Sequence, residues 1–458
     1  MEKGYDTGTA EAVRNGGRTP GGDAPDGGAG GGIGNGGATD VGGGSNGGAT
    51  TALATPAGTA APVADLTALG ADFTADPYSV YAGLRERGPV HRARSAEIGD
   101  FWLVVGYEAA RAALTDPRLG KDWSLLSPER FTPTPISANM LQVDPPDHTR
   151  LRRLVSREFT ARRVEALRPR VEEMTDGLLD AMAALPDGRA DLVDALAFPL
   201  PMGVICELLG VPDLDRSAFR AWSSDLVSFS GPEKEAAAVE AVGRYLTELI
   251  ARKRLNPGDD LLSALIRTTD EDGDRLSPEE LVGMSFLLLI AGFETTVNLI
   301  TNTVHALFRH PDVLAELRAD FTLTERVVEE GLRWDGPVEG ATLRIAAEPV
   351  EIGDVTIPAG GTVLVSLASA DRDPARFPDA DRFDPHRAPG GHVAFGHGIH
   401  FCLGAPLARM EAQIAIRRLL ERFPELALDR DPGVSDADLP WIPGTLIRGL
   451  RELPVRLR

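Results

Sequence analysis

Residues 281–308 constrain the fold more than any other part of the chain, because they are apolar around nearly the whole circumference of a helix. A helix with apolar side chains on every face must be buried on every face. Its length would also cross a bilayer, but a central Glu294 with Thr295, Asn298 and Asn302 would make contact with lipid costly. The segment therefore predicts the core helix of a large soluble domain.

Helical spacing of apolar residues recurs elsewhere, and short β-type runs stand between glycine and proline residues. The predicted helices cover residues 77–87, 107–114, 148–159, 163–184, 232–255 and 278–308. The predicted strands cover residues 101–105, 341–345, 350–352, 355–357 and 363–366. The expected fold class is mainly α with a small β region.

The N-terminal segment has a different composition from the rest of the chain. Residues 1–60 hold 20 of the 50 glycines, with almost no aromatic residue and no apolar periodicity. Such a segment cannot bury enough apolar surface to offset the entropy lost on ordering. We therefore expect a disordered tail over residues 1–62 and one compact domain over residues 63–458.

Charge and cysteine usage exclude several classes of partner. The formal net charge of −21 argues against a broad attraction to nucleic acid or to anionic lipid. The two cysteines, Cys206 and Cys402, lie far apart in different contexts, which does not suggest a disulfide framework. The N-terminus lacks the basic and then apolar pattern of a signal peptide. These features predict a soluble cytoplasmic protein with no nucleic-acid or membrane partner.

The segment FGHGIHFCLG, residues 395–404, places Cys402 just before an apparent helix that begins near Ala405 and Pro406. Proline in a first helical turn costs no backbone hydrogen bond. The N–H groups and positive dipole end of that helix favour the thiolate, which is the form that binds iron. Residue statistics alone would instead favour a structural, buried cysteine, and we give Cys206 that interpretation.

The same segment resembles the haem-binding signature of the cytochrome P450 family at its defining positions Phe395, Gly398, Cys402 and Gly404. The resemblance extends over residues 65–458. It implies the cytochrome P450 fold, with haem b between the long central helix and the helix after the cysteine, Cys402 as the iron ligand, and Phe395 and Gly404 beside the cofactor. Because a thiolate ligand favours O–O cleavage, it also implies a monooxygenase.

The centre of the long helix carries an acid and an alcohol, Glu294 and Thr295. In the family such a pair lies over the haem, so the resemblance implies catalytic roles for both and places Ala291 against the cofactor. The chemistry agrees, because a buried hydroxyl can donate a hydrogen bond and a carboxyl can supply protons through water. The alternative is that Thr295 bonds back to the carbonyl four residues earlier and that Glu294 reaches solvent.

Four further side chains are candidates for binding the haem propionates. The resemblance implies this role for His148, Arg152, Arg344 and His400. Buried carboxylates need cationic donors, and the planar fork of arginine suits them. The alternative for the first two is an ordinary solvated basic run over residues 150–153.

Glu330 and Arg333 share one helix face through their i, i+3 spacing, which is a weak signal by itself. The resemblance implies a structural pair that is joined by an arginine from a later segment. Arg387 is the predicted third member.

The resemblance places the substrate beside mostly apolar or small residues, in segments 124–140, 226–230, 338–342 and 443–446 and at Ile290, Ala291 and Glu294. The one acid in segment 124–140, Glu129, is balanced by Arg130, so a cationic amino sugar would find few partners there. Because the chain most resembles actinobacterial macrolide hydroxylases, we expect a largely neutral macrolactone or polyketide to be hydroxylated or epoxidised. A steroid or terpenoid is the alternative substrate.

Electrons must come from other proteins, because the chain has no dinucleotide fingerprint and no cysteine cluster for an iron–sulfur centre. A ferredoxin and a ferredoxin reductase are the implied partners of an expected monomer. They would dock near Cys402, where Arg409 and the basic run 150–153 are expected to gather. A peroxide-driven enzyme and a non-catalytic haem sensor are the alternatives, and the Glu294–Thr295 pair argues against both.

Overall fold

The long apolar segment forms one helix, Pro278–Arg309, in a computed structural model of the chain. The Ser277 side chain accepts a hydrogen bond from the Glu280 N–H, and the Glu280 carboxylate accepts one from the Ser277 N–H. This capping box fixes the start of the helix. In the described part of the chain, this is the one helix long and apolar enough to span a membrane, and 61% of its most apolar window is buried inside the protein. The predicted core helix is confirmed.

The structure describes residues 63–130, 132–212, 221–223, 225–226, 231–268, 273–388, 390–430 and 435–458. The predicted tail, residues 1–62, lies outside the described residues, as do residues 227–230 of one predicted substrate segment.

The described part of the chain is mainly helical, as predicted. Its α-helices are α1 (Leu66–Ala75), α2 (Pro77–Arg85), α3 (Tyr107–Thr115), α4 (Trp123–Leu126), α5 (Asp147–Glu158), α6 (Ala161–Ala166), α7 (Arg168–Ala183), α8 (Pro199–Leu209), α9 (Pro232–Leu255), α10 (Leu261–Arg267), α11 (Pro278–Arg309), α12 (Pro311–Ala319), α13 (Thr324–Asp335), α14 (Leu367–Asp371) and α15 (Ala405–Arg422).

Short strands form a small β region. They are β1 (Ala64–Asp65), β2 (Val90–Ser95), β3 (Gly99–Val104), β4 (Leu119–Gly120), β5 (Arg189–Asp191), β6 (Arg344–Ala346), β7 (Val350–Ile352), β8 (Val355–Ile357), β9 (Thr362–Val365), β10 (Ala427–Leu428) and β11 (Pro454–Arg456). A mixed sheet has the order β1-β2-β3-β9-β6-β4, β10-β11-β5 form a second sheet, and β7 pairs with β8.

Two predicted elements were wrong in their bounds. The helix expected over residues 163–184 is broken at Leu167, because Pro169 opens α7 and cannot donate a backbone hydrogen bond. The strand expected over residues 341–345 begins only at Arg344. The residues before it bond elsewhere: Val338 bridges to Ile447, and Gly340 bridges to Ser366.

The core surrounds α11, which packs against α8, α9, α13 and α15. These contacts bury α11 side chains from Leu281 to Leu307. Helices α11 and α15 therefore hold the loop before α15 in place beside the centre of α11, where the candidate site lies.

Candidate active site

A cleft lies between the centre of α11 and the loop before α15. Most of the residues singled out in the sequence meet there. The lining includes Arg152, Ala291, Thr295, Arg344, Phe395, His400, Cys402 and Gly404. Glu294 and His148 are not among its lining residues.

The loop that carries Cys402 is held by its own backbone. The Cys402 N–H donates to the Phe395 carbonyl at 2.9 Å, and the Phe401 N–H donates to the Gly398 carbonyl at 3.1 Å. Gly398 has a φ of +77°, and a Cβ there would lie only 3.1 Å from the Leu114 carbonyl oxygen. Glycine is therefore required at this position both by the turn and by the close approach of α3.

The thiol of Cys402 faces opposing influences. Burial raises its pKa, whereas the N–H groups of Gly404 and Ala405 and the Arg152 guanidinium act to lower it. The expected influence of the helix N-terminus is thus present, but burial outweighs it in the protein alone. A cation bound at Sγ would reverse the balance, because coordinating thiols are deprotonated. This is what an iron ligand at this position requires.

A group of cationic and imidazole side chains lies at one side of the cleft. We call Lys121, His148, Arg152, Arg344 and His400 the basic cluster. The His148 and His400 rings are 4.3 Å apart, and Arg152 donates to the Phe401 carbonyl at 2.7 Å. Arg344 donates to the carbonyls of Leu114 and Leu119 at 3.1 and 2.9 Å. Lys121 donates to the Thr342 hydroxyl.

The charge of the basic cluster is only partly balanced: Asp144 and Asp116 act to raise the pKa values of its members, but burial outweighs them. Burial, reinforced by neighbouring cations, lowers the pKa of Lys121 to about 7 and that of His400 to about 2. Among the described residues, both ring nitrogens of His148, Nε2 of His400 and Nε of Arg344 are buried without a hydrogen-bond partner. Buried polar groups of this kind normally have partners. The cluster therefore fits a ligand that carries carboxylates, as the propionates of haem do.

Lys121 was missed in the sequence. Nothing in its local sequence distinguishes it, but β4 pairs antiparallel with β6, with Leu119 opposite Ala346 and Gly120 opposite Ile345. The same register brings Lys121 opposite Arg344. Only the strand pairing could have identified this residue, and the pairing is long-range.

The two candidate catalytic residues point in different directions. Thr295 lines the cleft, and its hydroxyl donates to the Ala291 carbonyl at 3.0 Å. The back-bonding alternative is therefore seen, although the hydroxyl oxygen can still accept a hydrogen bond from the cleft. Glu294 accepts a hydrogen bond from the buried Ser223 hydroxyl. Ser223 was not anticipated, because no local pattern marks it.

Glu330 lies at the centre of a buried ion-pair group. Arg333 donates two hydrogen bonds to its carboxylate, at 2.7 and 2.8 Å. The predicted third member, Arg387, donates a hydrogen bond from Nε to the same carboxylate at 3.2 Å. The Asp384 N–H also donates to this carboxylate, at 2.8 Å. Arg333 also donates to the Ala380 carbonyl at 2.8 Å. The group thereby joins α13 to the segment that leads to the cysteine loop.

Two arginines expected to gather at a docking face are engaged within the protein. Arg409 forms two hydrogen bonds to Glu329, at 2.5 and 2.9 Å, and lies over the Phe395 ring at 4.5 Å. Arg150 pairs with Glu280 and Asp274. Although burial opposes it, hydrogen bonds from His392 and Arg409 lower the pKa of Glu329 to about 2. Arg409 thus supports the cysteine loop through Phe395 rather than standing unpaired.

The cleft has an apolar wall, formed partly by α11 itself. Its residues include Met140, Leu287, Leu288, Val338 and Leu367, and no Asp or Glu lines the cleft among the described residues. Ile290 is not among the lining residues, which contradicts its expected position. It is half-buried and packs against the core instead.

The segment 443–446 was also expected beside the substrate. Its residues Pro443, Gly444 and Thr445 instead line a second cavity, together with Phe73 and Trp441. The segment lies beside the cleft-lining residues without lining the cleft itself: Val338 pairs with Ile447 as a β-bridge, and the Glu339 N–H donates to the Leu446 carbonyl at 2.9 Å.

Comparison with known proteins gives consistent matches over the folded part of the chain. A family profile described as Cytochrome P450 matches residues 233–438. The chain is 58% identical over 407 residues to the cytochrome P450 monooxygenase PikC of Streptomyces venezuelae, covering 88% of this chain and 97% of that protein. It is 47% identical to the 6-deoxyerythronolide B hydroxylase of Saccharopolyspora erythraea, covering 84% and 97% of the two chains.

A solved structure agrees with these sequence matches. The tirandamycin C-bound P450 monooxygenase TamI is 48% identical, with a TM-score of 0.78, and the match covers 87% of this chain and 100% of that one.

Proposed function

The chain belongs to the cytochrome P450 family, and from that premise we propose that it hydroxylates or epoxidises a neutral macrolactone or a related polyketide in secondary metabolism. It is a P450 monooxygenase with the cytochrome P450 fold, as the sequence resemblance implied. The observation that carries the choice of substrate is the apolar wall of the cleft, which no described carboxylate lines. An amino-sugar cation would be left there without a partner.

The family implies a haem cofactor, and we propose haem b with Cys402 as its iron ligand. When bound, the haem would supply the oxygen chemistry, in which two electrons and two protons reduce one oxygen atom to water while the other enters the substrate. The basic cluster would hold the propionates, and this assignment is supported by its unpartnered buried nitrogens. Ala291, Phe395 and Gly404 would contact the macrocycle.

The remaining chemistry belongs to side chains on α11. Thr295 places a hydroxyl on the cleft, where it can accept a hydrogen bond from a water or donate one toward the reacting oxygen. Glu294 stands one residue earlier, behind the cleft wall, held by Ser223. We propose that Glu294 supplies protons and that Thr295 passes them into the cleft. The apolar lining excludes other water, which would otherwise divert those protons.

Relatives support both the main substrate class and its alternative. One is named 6-deoxyerythronolide B hydroxylase and another mycinamicin IV hydroxylase/epoxidase. A third, 50% identical, is named vitamin D(3) 25-hydroxylase. A bulky apolar steroid therefore remains the second candidate, because the same apolar wall would accept it.

Substrate titration tests this choice. We expect 6-deoxyerythronolide B to convert the ferric haem from low spin to high spin, because an apolar ligand displaces water from the cleft. A macrolide with a dimethylamino sugar should bind at least about tenfold more weakly, because its cation is desolvated without a carboxylate partner. Absorption spectra of the purified haem protein measure both affinities. Tighter binding of the cationic macrolide would contradict the proposal, and a shift only with vitamin D3 would favour the alternative.

The role of Thr295 is tested by Thr295→Ala. We expect product formed per NADPH to fall by about tenfold and peroxide release to rise, because proton delivery into the cleft is lost. Thr247→Ala is the matched control: Thr247 makes the same bond to the carbonyl four residues earlier, at 2.8 Å, in α9. The ratio of product formed to NADPH consumed is measured with a surrogate ferredoxin and reductase. An unchanged ratio in Thr295→Ala would contradict the proposed role of Thr295.

We further propose a ferredoxin and a ferredoxin reductase as the electron donors of a monomeric cytoplasmic enzyme. The absence of an iron–sulfur cysteine cluster in the sequence supports external donors. The docking surface would use the exposed Ile399 of the cysteine loop. The haem domain would span residues 63–458, with residues 1–62 as a separate tail.

A further inference from the structure

The second half of α11 carries a row of buried polar side chains on one face. Asn298, Asn302 and His305 follow Glu294 at intervals of four, four and three residues, so they lie along the same face of the helix. Each of the three is only 1% exposed. We call these three side chains the polar row. Such residues are unusual in the centre of a core, where a helix would bury apolar groups.

The polar row has hydrogen-bonding capacity that the described residues do not use. Asn298 donates to the Glu294 carbonyl at 2.9 Å, and Asn302 donates to the carbonyls of Asp335 and Arg448 at 3.0 and 2.9 Å. Both amide oxygens and both ring nitrogens of His305 are buried without a hydrogen-bond partner among the described residues. Internal water commonly satisfies such groups.

The row runs from the candidate site to the surface. Its inner end is Glu294, one residue before the cleft-lining Thr295. At its outer end, Nε2 of His305 lies 3.5 Å from Oδ1 of Asp436, whose side chain is 31% exposed. Arg309 and Arg430 also contact Asp436, at 3.1 and 2.7 Å. From Glu294 to His305 the helix rises about 16 Å, so the row can transfer a proton only if internal waters lie between these side chains.

We propose that the polar row and its internal waters form a proton path from the surface at Asp436 to Glu294. The proposal rests on the proposed monooxygenase function, in which Glu294 gives up protons to the cleft. Asn298 and Asn302 are positioning residues that hold water with their free amide oxygens, and His305 is the entry group.

Protons balance along this path. When Glu294 releases a proton into the cleft, its carboxylate takes one from the adjacent water, and that deficit passes along the row to His305. His305 first accepts a solvent proton on its outward nitrogen and then gives up the proton on its inward nitrogen to the row. Rotation of the ring restores the starting tautomer, so each cycle moves one solvent proton to Glu294. The ionised Asp436 favours the transient positive charge on His305, and His305, Arg309 and Arg430 lower the pKa of Asp436 to about 2.

The test compares His305→Phe and Asp436→Asn with Thr303→Val in the haem-loaded protein. Thr303 is a matched control, because its hydroxyl is also buried and unpartnered among the described residues but lies on the opposite face of α11. With 6-deoxyerythronolide B and a surrogate redox pair, we expect His305→Phe to lower turnover by about tenfold and to increase the solvent deuterium isotope effect. Asp436→Asn should do the same to a smaller extent, and because it keeps the size of a partly exposed side chain, it provides the test if His305→Phe does not fold.

A second measurement does not depend on turnover. A high-resolution crystal structure should show ordered waters within hydrogen-bonding distance of the Asn298 and Asn302 amide oxygens and of His305. The absence of ordered water along the polar row would overturn the proposal. Turnover and solvent isotope effects in His305→Phe and Asp436→Asn that equal those of Thr303→Val would overturn it as well. If the wild-type protein oxidises no candidate substrate, the proposed function fails, and the waters still decide whether the path exists.

Discussion

Replacement of Cys402 by alanine should abolish the carbonyl absorption band near 450 nm, from which the family takes its name, together with all product formation. The expected loss is complete, because a thiolate is the ligand that favours O–O cleavage, and no other sulfur lines the cleft in the described residues except Met140. A thioether on the opposite wall cannot provide the charge of a thiolate.

Cys206→Ala is the matched control for this prediction. Cys206 is fully buried in α8, where its sulfur contacts that of Met202 at 3.7 Å. Its replacement should cost about 1 kcal/mol of folding stability and leave the absorption band unchanged. Absorption spectra of the carbon monoxide complexes of the two reduced variants measure this band. A normal band in Cys402→Ala, or its loss in Cys206→Ala, would contradict the assignment of the ligand.

Glu330→Ala should produce the largest loss of stability among single changes outside the cleft. The substitution leaves the Arg333 guanidinium, which is 3% exposed, buried without its carboxylate partner. It also removes the acceptor for Arg387 and for the Asp384 N–H. Breaking a buried ion pair in this way costs about 3–5 kcal/mol.

Urea unfolding of the purified proteins measures this effect, with Glu173→Ala as the control. Glu173 pairs with Arg170 at a similar distance, 2.7 Å, but both side chains are exposed, so its loss should cost less than about 1 kcal/mol. Glu330→Gln keeps an acceptor and should fall between the two. If Glu330→Ala is not recovered folded, the free energies of unfolding of Glu330→Gln and Glu173→Ala can still be compared. Equal stability of Glu330→Gln and Glu173→Ala would contradict it.

The sequence predicted those features that depend on local chemistry. The length and burial of α11 follow from its all-round apolar composition, whereas the capping box of Ser277 and Glu280 at its start was seen only in the structure. The cysteine loop could be recognised because its glycines, its cysteine and the proline of the next helix lie within a few residues. The resemblance to the cytochrome P450 family is confirmed by relatives that match most of the chain.

Features that depend on distant contacts were missed or misplaced. Lys121 joins the basic cluster only because β4 pairs with β6. Ser223 reaches Glu294 across 71 positions of sequence. Arg409 was expected at a docking face, but its pairing with Glu329 depends on how α13 packs against α15. Local spacing carries no information on these contacts, because long-range packing alone decides them.

The proposed function depends on ligation of the haem iron by the thiolate of Cys402. The carbonyl difference spectrum of the purified, reduced wild-type protein tests it most directly. We predict a single band near 450 nm. A band at the shorter wavelength typical of a histidine ligand, in protein that is fully loaded with haem, would contradict the account.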